Sequence, residues 1–223
     1  MKLDNIKITR KNIKHMYLRI LPPDGEIVVS APQNISQNEI EEFIISKKDW
    51  IYKKQKYIKE HNITAPLKYK TGETHYLWGK SYTLQLITDK KTKTVLIDKN
   101  IMYLSCGKNS TIEKREKILN EFYRKQLKSV LPETLDKCIK IVKRKPNNVR
   151  IRKMKNWGNC KKNGEITLNL KLAKKDKICL EYVIIHELCH LIEFNHGKNF
   201  KKLMDEFCPN WKEIKKRLNE KEN

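Results

Sequence analysis

The stretch Ile178 to His190, ICLEYVIIHELCH, most constrains what this chain can fold into. It is apolar at Ile178, Val183, Ile184 and Ile185, so a helix running through it must be buried. It nevertheless carries His186, Glu187 and His190 in the pattern HExxH. Residues four apart on a helix differ by about 40° around the axis and about 6 Å along it, so both imidazoles can reach one ion. Glu187 then stands beside them, where a carboxylate can accept a proton from water without itself being a ligand. Two neutral imidazoles suit zinc.

The third ligand has to come from outside this pair. Asn195-His196-Gly197 reads as the stop of a helix spanning about residues 175–195. His196, six residues after His190, can fold back as a third ligand and leave a fourth position for water, in preference to Glu206 or Glu213. The histidine spacing also matches metzincins. However, Glu193 stands where that class needs a glycine, and Met204 belongs to the amphipathic pattern Phe200, Leu203, Met204, Phe207, so that class is disfavoured.

Upstream, MYLRILPPDGEIVVSA alternates around Pro-Pro-Asp-Gly and predicts a hairpin. From Ser36, read as the N-cap, Ile40, Phe43, Ile44, Trp50, Ile51 and Ile58 predict an amphipathic helix broken in two. Between Thr74 and Ser105 short alternating segments predict strands, with turns at Gly79-Lys80, Asp89-Lys90 and Asp98-Lys99. A long helical pattern runs from Thr111 to about Val142, and Pro132 predicts a break in it. Val149–Lys153 and Glu165–Leu170 read as strands flanking a Trp157-Gly158-Asn159-Cys160 loop. The expected class is α+β, with a β-rich N-terminal region over residues 1–105 and a catalytic region over 106–223, the two able to form one continuous domain.

Composition narrows the setting. The chain has 223 residues, 39% hydrophobic and 34% charged, enough to bury a core. No segment approaches the ~18 apolar residues of a membrane span, and MKLDNIKITR lacks a secretory pattern, so a cytoplasmic protein is expected. Six cysteines, none in a CxxC pair, predict reduced thiols. The net charge of +23 admits nucleic acid or an anionic nucleotide as partner, although the excess is mostly lysine, as A/T-rich coding drift would produce.

The run from Arg150 to Leu218 resembles the YgjP-like family of predicted zinc-dependent metallopeptidases, related to the SprT-like zincins. The matching blocks are Trp157-Gly158 with Cys160, Leu168-Asn169, Tyr182-Val183 before His186-Glu187-Leu188, Asn195-His196 with Phe200, and Pro209. Weaker matches upstream are Ser30-Ala31-Pro32, Trp50-Ile51, Gly72 and Gly79. The resemblance implies a zincin-like catalytic part, with zinc on His186, His190 and His196, Glu187 as general base, and hydrolysis of peptide bonds in a peptide or protein substrate. It also implies that Glu165–Leu170 is an edge strand able to pair with substrate. Trp157, Asn169 and Arg152 are the candidate substrate contacts. Two rival readings stay open: a metal-dependent nucleotide phosphoanhydride hydrolase, and a nucleic-acid-associated SprT-like protease. The oligomeric state is not legible in the sequence.

Overall fold

The computed structural model describes residues 6–60, 66–88, 92–220. Packing divides the chain into two units, Met1–Leu67 and Lys68–Asn223. The strands between residues 74 and 105 therefore pack with the C-terminal unit, whereas the sequence division at 105/106 groups them with the N-terminal one. The reason is that Leu77, Leu84, Val95, Met102 and Leu104 share a core with the helices that follow them.

In the first unit β1 (Lys7–Lys11) pairs parallel with β3 (Glu26–Pro32), and β2 (Tyr17–Leu21) pairs antiparallel with β3 around the expected hairpin. Helices α1 (Gln37–Ser46) and α2 (Lys48–Glu60) are the two pieces of the expected broken helix. A reciprocal capping box between Ser36 and Glu39 starts α1. Ile40, Ile44 and Ile51 close over Ile27, Val29 and Ala31.

The second unit opens with β4 (Thr74–Leu77), β5 (Lys80–Ile87), β6 (Val95–Asp98) and β7 (Ile101–Ser105), ordered β4-β5-β7-β6. The turn at Gly79 and that at Asp98-Lys99 fall as expected, while the Asp89-Lys90 turn lies outside the described residues. Helix α3 (Ile112–Val142) then runs through Pro132 without breaking. Pro132 lies on the solvent face, as does Lys128, whose carbonyl loses its partner to the proline and can be hydrated. The buried Leu127, Cys138 and Val142 hold the two halves in one core.

A small second sheet positions the site. β8 (Asn148–Arg152) pairs parallel with β10 (Glu165–Asn169), and β9 (Gly158–Cys160) pairs antiparallel with β10, giving the order β8-β10-β9. Two expectations are corrected here. The Trp-Gly-Asn-Cys segment is partly a strand, and β10 is not an edge because both its sides are hydrogen-bonded; the edges are β8 and β9.

A 3-10 turn (Leu170–Lys174) leads into α4 (Lys177–Cys189), buried on nearly every side, then α5 (Lys198–Phe207) and α6 (Trp211–Asn219). Helix α4 ends at Cys189, six residues before the expected stop. The amides of Leu191 and Ile192 bond back to the carbonyls of Leu188 and Cys189 at 3.0 Å each, three residues away, which tightens the chain into turns. Among the described residues no helix is long and apolar enough to cross a membrane.

Candidate metal centre

The last turn of α4 presents His186, the capping residue just past its end is His190, and the turns that follow return His196 to the same point. The ligand-capable atoms of these three histidines all lie within 4.8 Å of one another. The Nε2 atoms of His186 and His196 are 3.1 Å apart. Zinc–nitrogen bonds of about 2.0–2.1 Å at tetrahedral angles put ligand nitrogens about 3.3 Å apart, so this spacing fits one shared ion. His190 Nδ1 lies 3.2 Å from the carbonyl oxygen of Glu193. With Nδ1 as donor, Nε2 is left as the ligand, the arrangement in which a backbone acceptor fixes the tautomer.

The early end of α4 is what makes that bond, because Glu193 has already left the helix. Phe200, in the first turn of α5, stacks on His190 at 4.6 Å and meets His186 and His196 edge-on at 4.9 and 4.7 Å. One buried phenyl ring thus backs all three imidazoles.

Electrostatics favour a metal over protons. Burial, followed by the neighbouring His190, His196 and Lys215, pulls His186 down to about 3. Burial likewise lowers His190. Both rings therefore stay neutral near neutral pH with their lone pairs free. Glu187 is 4% exposed, and burial pushes its carboxyl up to about 8. A divalent cation held by the histidines would oppose that rise by Coulomb attraction.

The histidines and Glu187 line a cleft of about 470 Å³. Its far walls are β9 with the preceding Trp157, and α6 through Lys215, Leu218 and Asn219. Trp157 Nε1 donates to Asn219 Oδ1 at 3.0 Å, which ties the rim of the cleft to α6. An ion pair of 2.6 Å between Arg217 and Asp176, the residue before α4, latches the same helix. A Cβ on Gly158 would come within 2.2 Å of Glu187 Oε1, so a glycine is what lets β9 approach the carboxylate.

The substrate-contact candidates divide. Trp157 lines the cleft. Asn169 is 1% exposed and faces the backbone: its Nδ2 donates to the carbonyls of Met154 and Asn156 at 2.9 and 2.8 Å, and its Oδ1 accepts from Lys171 N at 3.0 Å. Arg152 is exposed on β8, the strand on the far side of β10 from β9, and does not line the cleft. Residues 206 and 213, the alternative glutamate ligands, are exposed and outside the histidine cluster. Cys160 lines the cleft, and burial followed by Glu187 raises its thiol to about 11, so it is protonated.

Sequence patterns missed Lys215 and Asn219 as parts of the site, because their places depend on packing between distant segments. Phe200 was visible as one position of an apolar stripe and in the block with Asn195-His196, without a role at the histidines.

In this α+β fold a buried helix and the turns after it bring three histidines to one point beside a carboxylate, an arrangement able to hold a metal ion. A sequence model of the YgjP-like metallopeptidase domain matches residues 14–221, and the chain belongs to that family, a peptidase-type hydrolase. No curated protein matches the sequence at a significant level. A solved structure, the crystal structure of the metallopeptidase zymogen of Pyrococcus abyssi abylysin, is similar at 28% identity with a TM-score of 0.36, covering 39% of this chain and 90% of that one.

Proposed function

We propose that the protein is a zinc metallopeptidase in which His186, His190 and His196 hold the ion and Glu187 is the general base. The observation that carries this reading is the convergence of three imidazoles within 4.8 Å beside a buried carboxylate. Bound there, zinc would polarise the scissile carbonyl and acidify the attacking water. Glu187 takes the water proton and returns it to the departing amine. Its burial supports a proton acceptor poised near neutrality rather than deep in the acid range.

An extended substrate pairs with β9, whose other edge is taken by β10, so main-chain hydrogen bonds supply affinity. The cleft wall on that side is the strand itself. All six cysteines are buried free thiols, which suits a reducing compartment such as the cytoplasm.

The test is metal analysis of untagged protein together with peptide hydrolysis. Wild type should carry about one zinc per chain. His196→Ala should lose or weaken it. Glu187→Gln should keep it and lose turnover by at least about 10²-fold. Full activity in Glu187→Gln, or folded wild type that refuses added zinc, refutes the reading.

A further inference from the structure

We infer that the cleft continues past the histidines into a basic subsite selecting peptides with acidic side chains near the scissile bond; this rests on the peptidase reading above. A second cavity, of about 680 Å³, shares His190 and Phe194 with the metal-centre cleft. A substrate seated at the histidines therefore borders both spaces. The second space is lined by Arg144, Lys145, Lys161 and Lys162, and no carboxylate lines it among the described residues.

The walls are built rather than incidental. Arg144 and Lys145 follow Lys143, the C-cap of α3, in the connection that Asn147 joins to the β9–β10 turn. Asn147 Nδ2 donates to Asn163 O at 2.6 Å, and Asn147 N donates to Gly164 O at 3.0 Å. Gly164 has φ +78, and a Cβ there would crowd Asn147 at 3.2 Å. Two cation-bearing segments are thus fastened to each other at a glycine that permits the contact.

Position on the strand supplies the link to substrate. Cys160, the last residue of β9, lines the cleft with the histidines, and Lys161 and Lys162 follow immediately after it, so a peptide paired along β9 runs toward them. Lys161 is partly committed to Glu165 at 2.8 Å. Arg144, Lys145 and Lys162 supply the rest of the field. Ile192 and Phe194, both exposed and lining this space, accept the aliphatic stem of a glutamate. Like charges gathered in a concave space raise the local concentration of an anionic ligand above what net charge alone provides.

The experiment measures binding, so that it does not depend on turnover. Zinc-loaded Glu187→Gln is titrated with two labelled peptides, identical except for a Glu-Glu or Gln-Gln pair beside the scissile bond, at near-physiological salt. The acidic peptide should bind roughly tenfold tighter. The ratio should fall below about threefold when Lys145→Glu and Lys162→Glu are added. It should persist with Lys114→Glu and Lys117→Glu, which make the same charge change on α3 and line neither of these two cavities. Equal affinities, a ratio indifferent to the cavity pair, or no measurable binding of either peptide overturns the subsite. Hydrolysis by wild type is read separately: the expected ratios without cleavage of either peptide keep the subsite and remove the peptidase mechanism.

Discussion

Gly158 backs directly onto Glu187: a Cβ at this glycine would lie 2.2 Å from Oε1, 2.8 Å from Cδ and 2.9 Å from Cγ of the glutamate. The edge strand and the proposed base therefore share one narrow space, and the base can hold its position only while residue 158 has no side chain. Gly158→Ala should push the carboxylate aside while leaving the three histidines in place. The expected result is a loss of about 10²-fold in kcat, the order produced by ångström-scale misplacement, with zinc content unchanged. Metal analysis and steady-state kinetics on the same preparation check this. Unchanged kcat would mean that the carboxylate's position is not critical.

Phe200 touches all three imidazoles yet offers no ligand atom. Phe200→Ala should loosen the rings and lower zinc affinity by roughly 10- to 100-fold, the range seen when groups that orient metal ligands are removed. Phe200→Leu, which refills part of the volume, should recover some of the loss. Competition with a chromogenic chelator reads the affinity. Equal affinity in wild type and Phe200→Ala would show that the histidine geometry is set without the phenyl ring.

The metal-binding helix was legible because its information is local. HELCH sits on a helix whose spacing alone brings two imidazoles together. The hairpin, the Ser36 cap and the strands between residues 74 and 105 were legible for the same reason. What stayed hidden depends on distant partners. Trp157 reaches Asn219 across 62 residues, and β9 meets β10 only after the chain turns back on itself. Pro132 misled because a local rule gave way to core packing on either side of it.

Asn169 shows how a polar residue in a motif can be read as a ligand contact when its work is internal. It spends both ends of its amide on the backbone around β9 and the 3-10 turn, at 2.8–3.0 Å. Asn169→Ala would leave two carbonyls and one amide without these partners. It should therefore cost about 2–4 kcal/mol of stability. KM for a cleavable peptide, measured below the unfolding transition, should stay within about twofold of wild type. Denaturant unfolding gives the first quantity and kinetics the second. A tenfold rise in KM without loss of stability would return Asn169 to the substrate site.

His75 sets a separate prediction, on acid stability. It is 1% exposed in β4, and neither ring nitrogen has a hydrogen-bond partner; the carboxylate of Glu73 is 3.7 Å away. Burial, and then the charge of Lys174, lower it from 6.5 to about 4, with Glu73 opposing. The unfolded chain takes up this proton as pH falls through about 6.5, while the folded one resists until about 4. Its contribution to stability is therefore intact above the unfolded value, falls between 6.5 and 4, and is fully lost below the folded value. The shift corresponds to about 3 kcal/mol at its limit. His75→Leu removes the titrating group and keeps most of the volume. Urea unfolding between pH 7 and pH 4 should show a loss smaller by about that amount in the variant than in wild type. Parallel stability curves for the two proteins across this window would mean that His75 titrates equally in the folded and unfolded states.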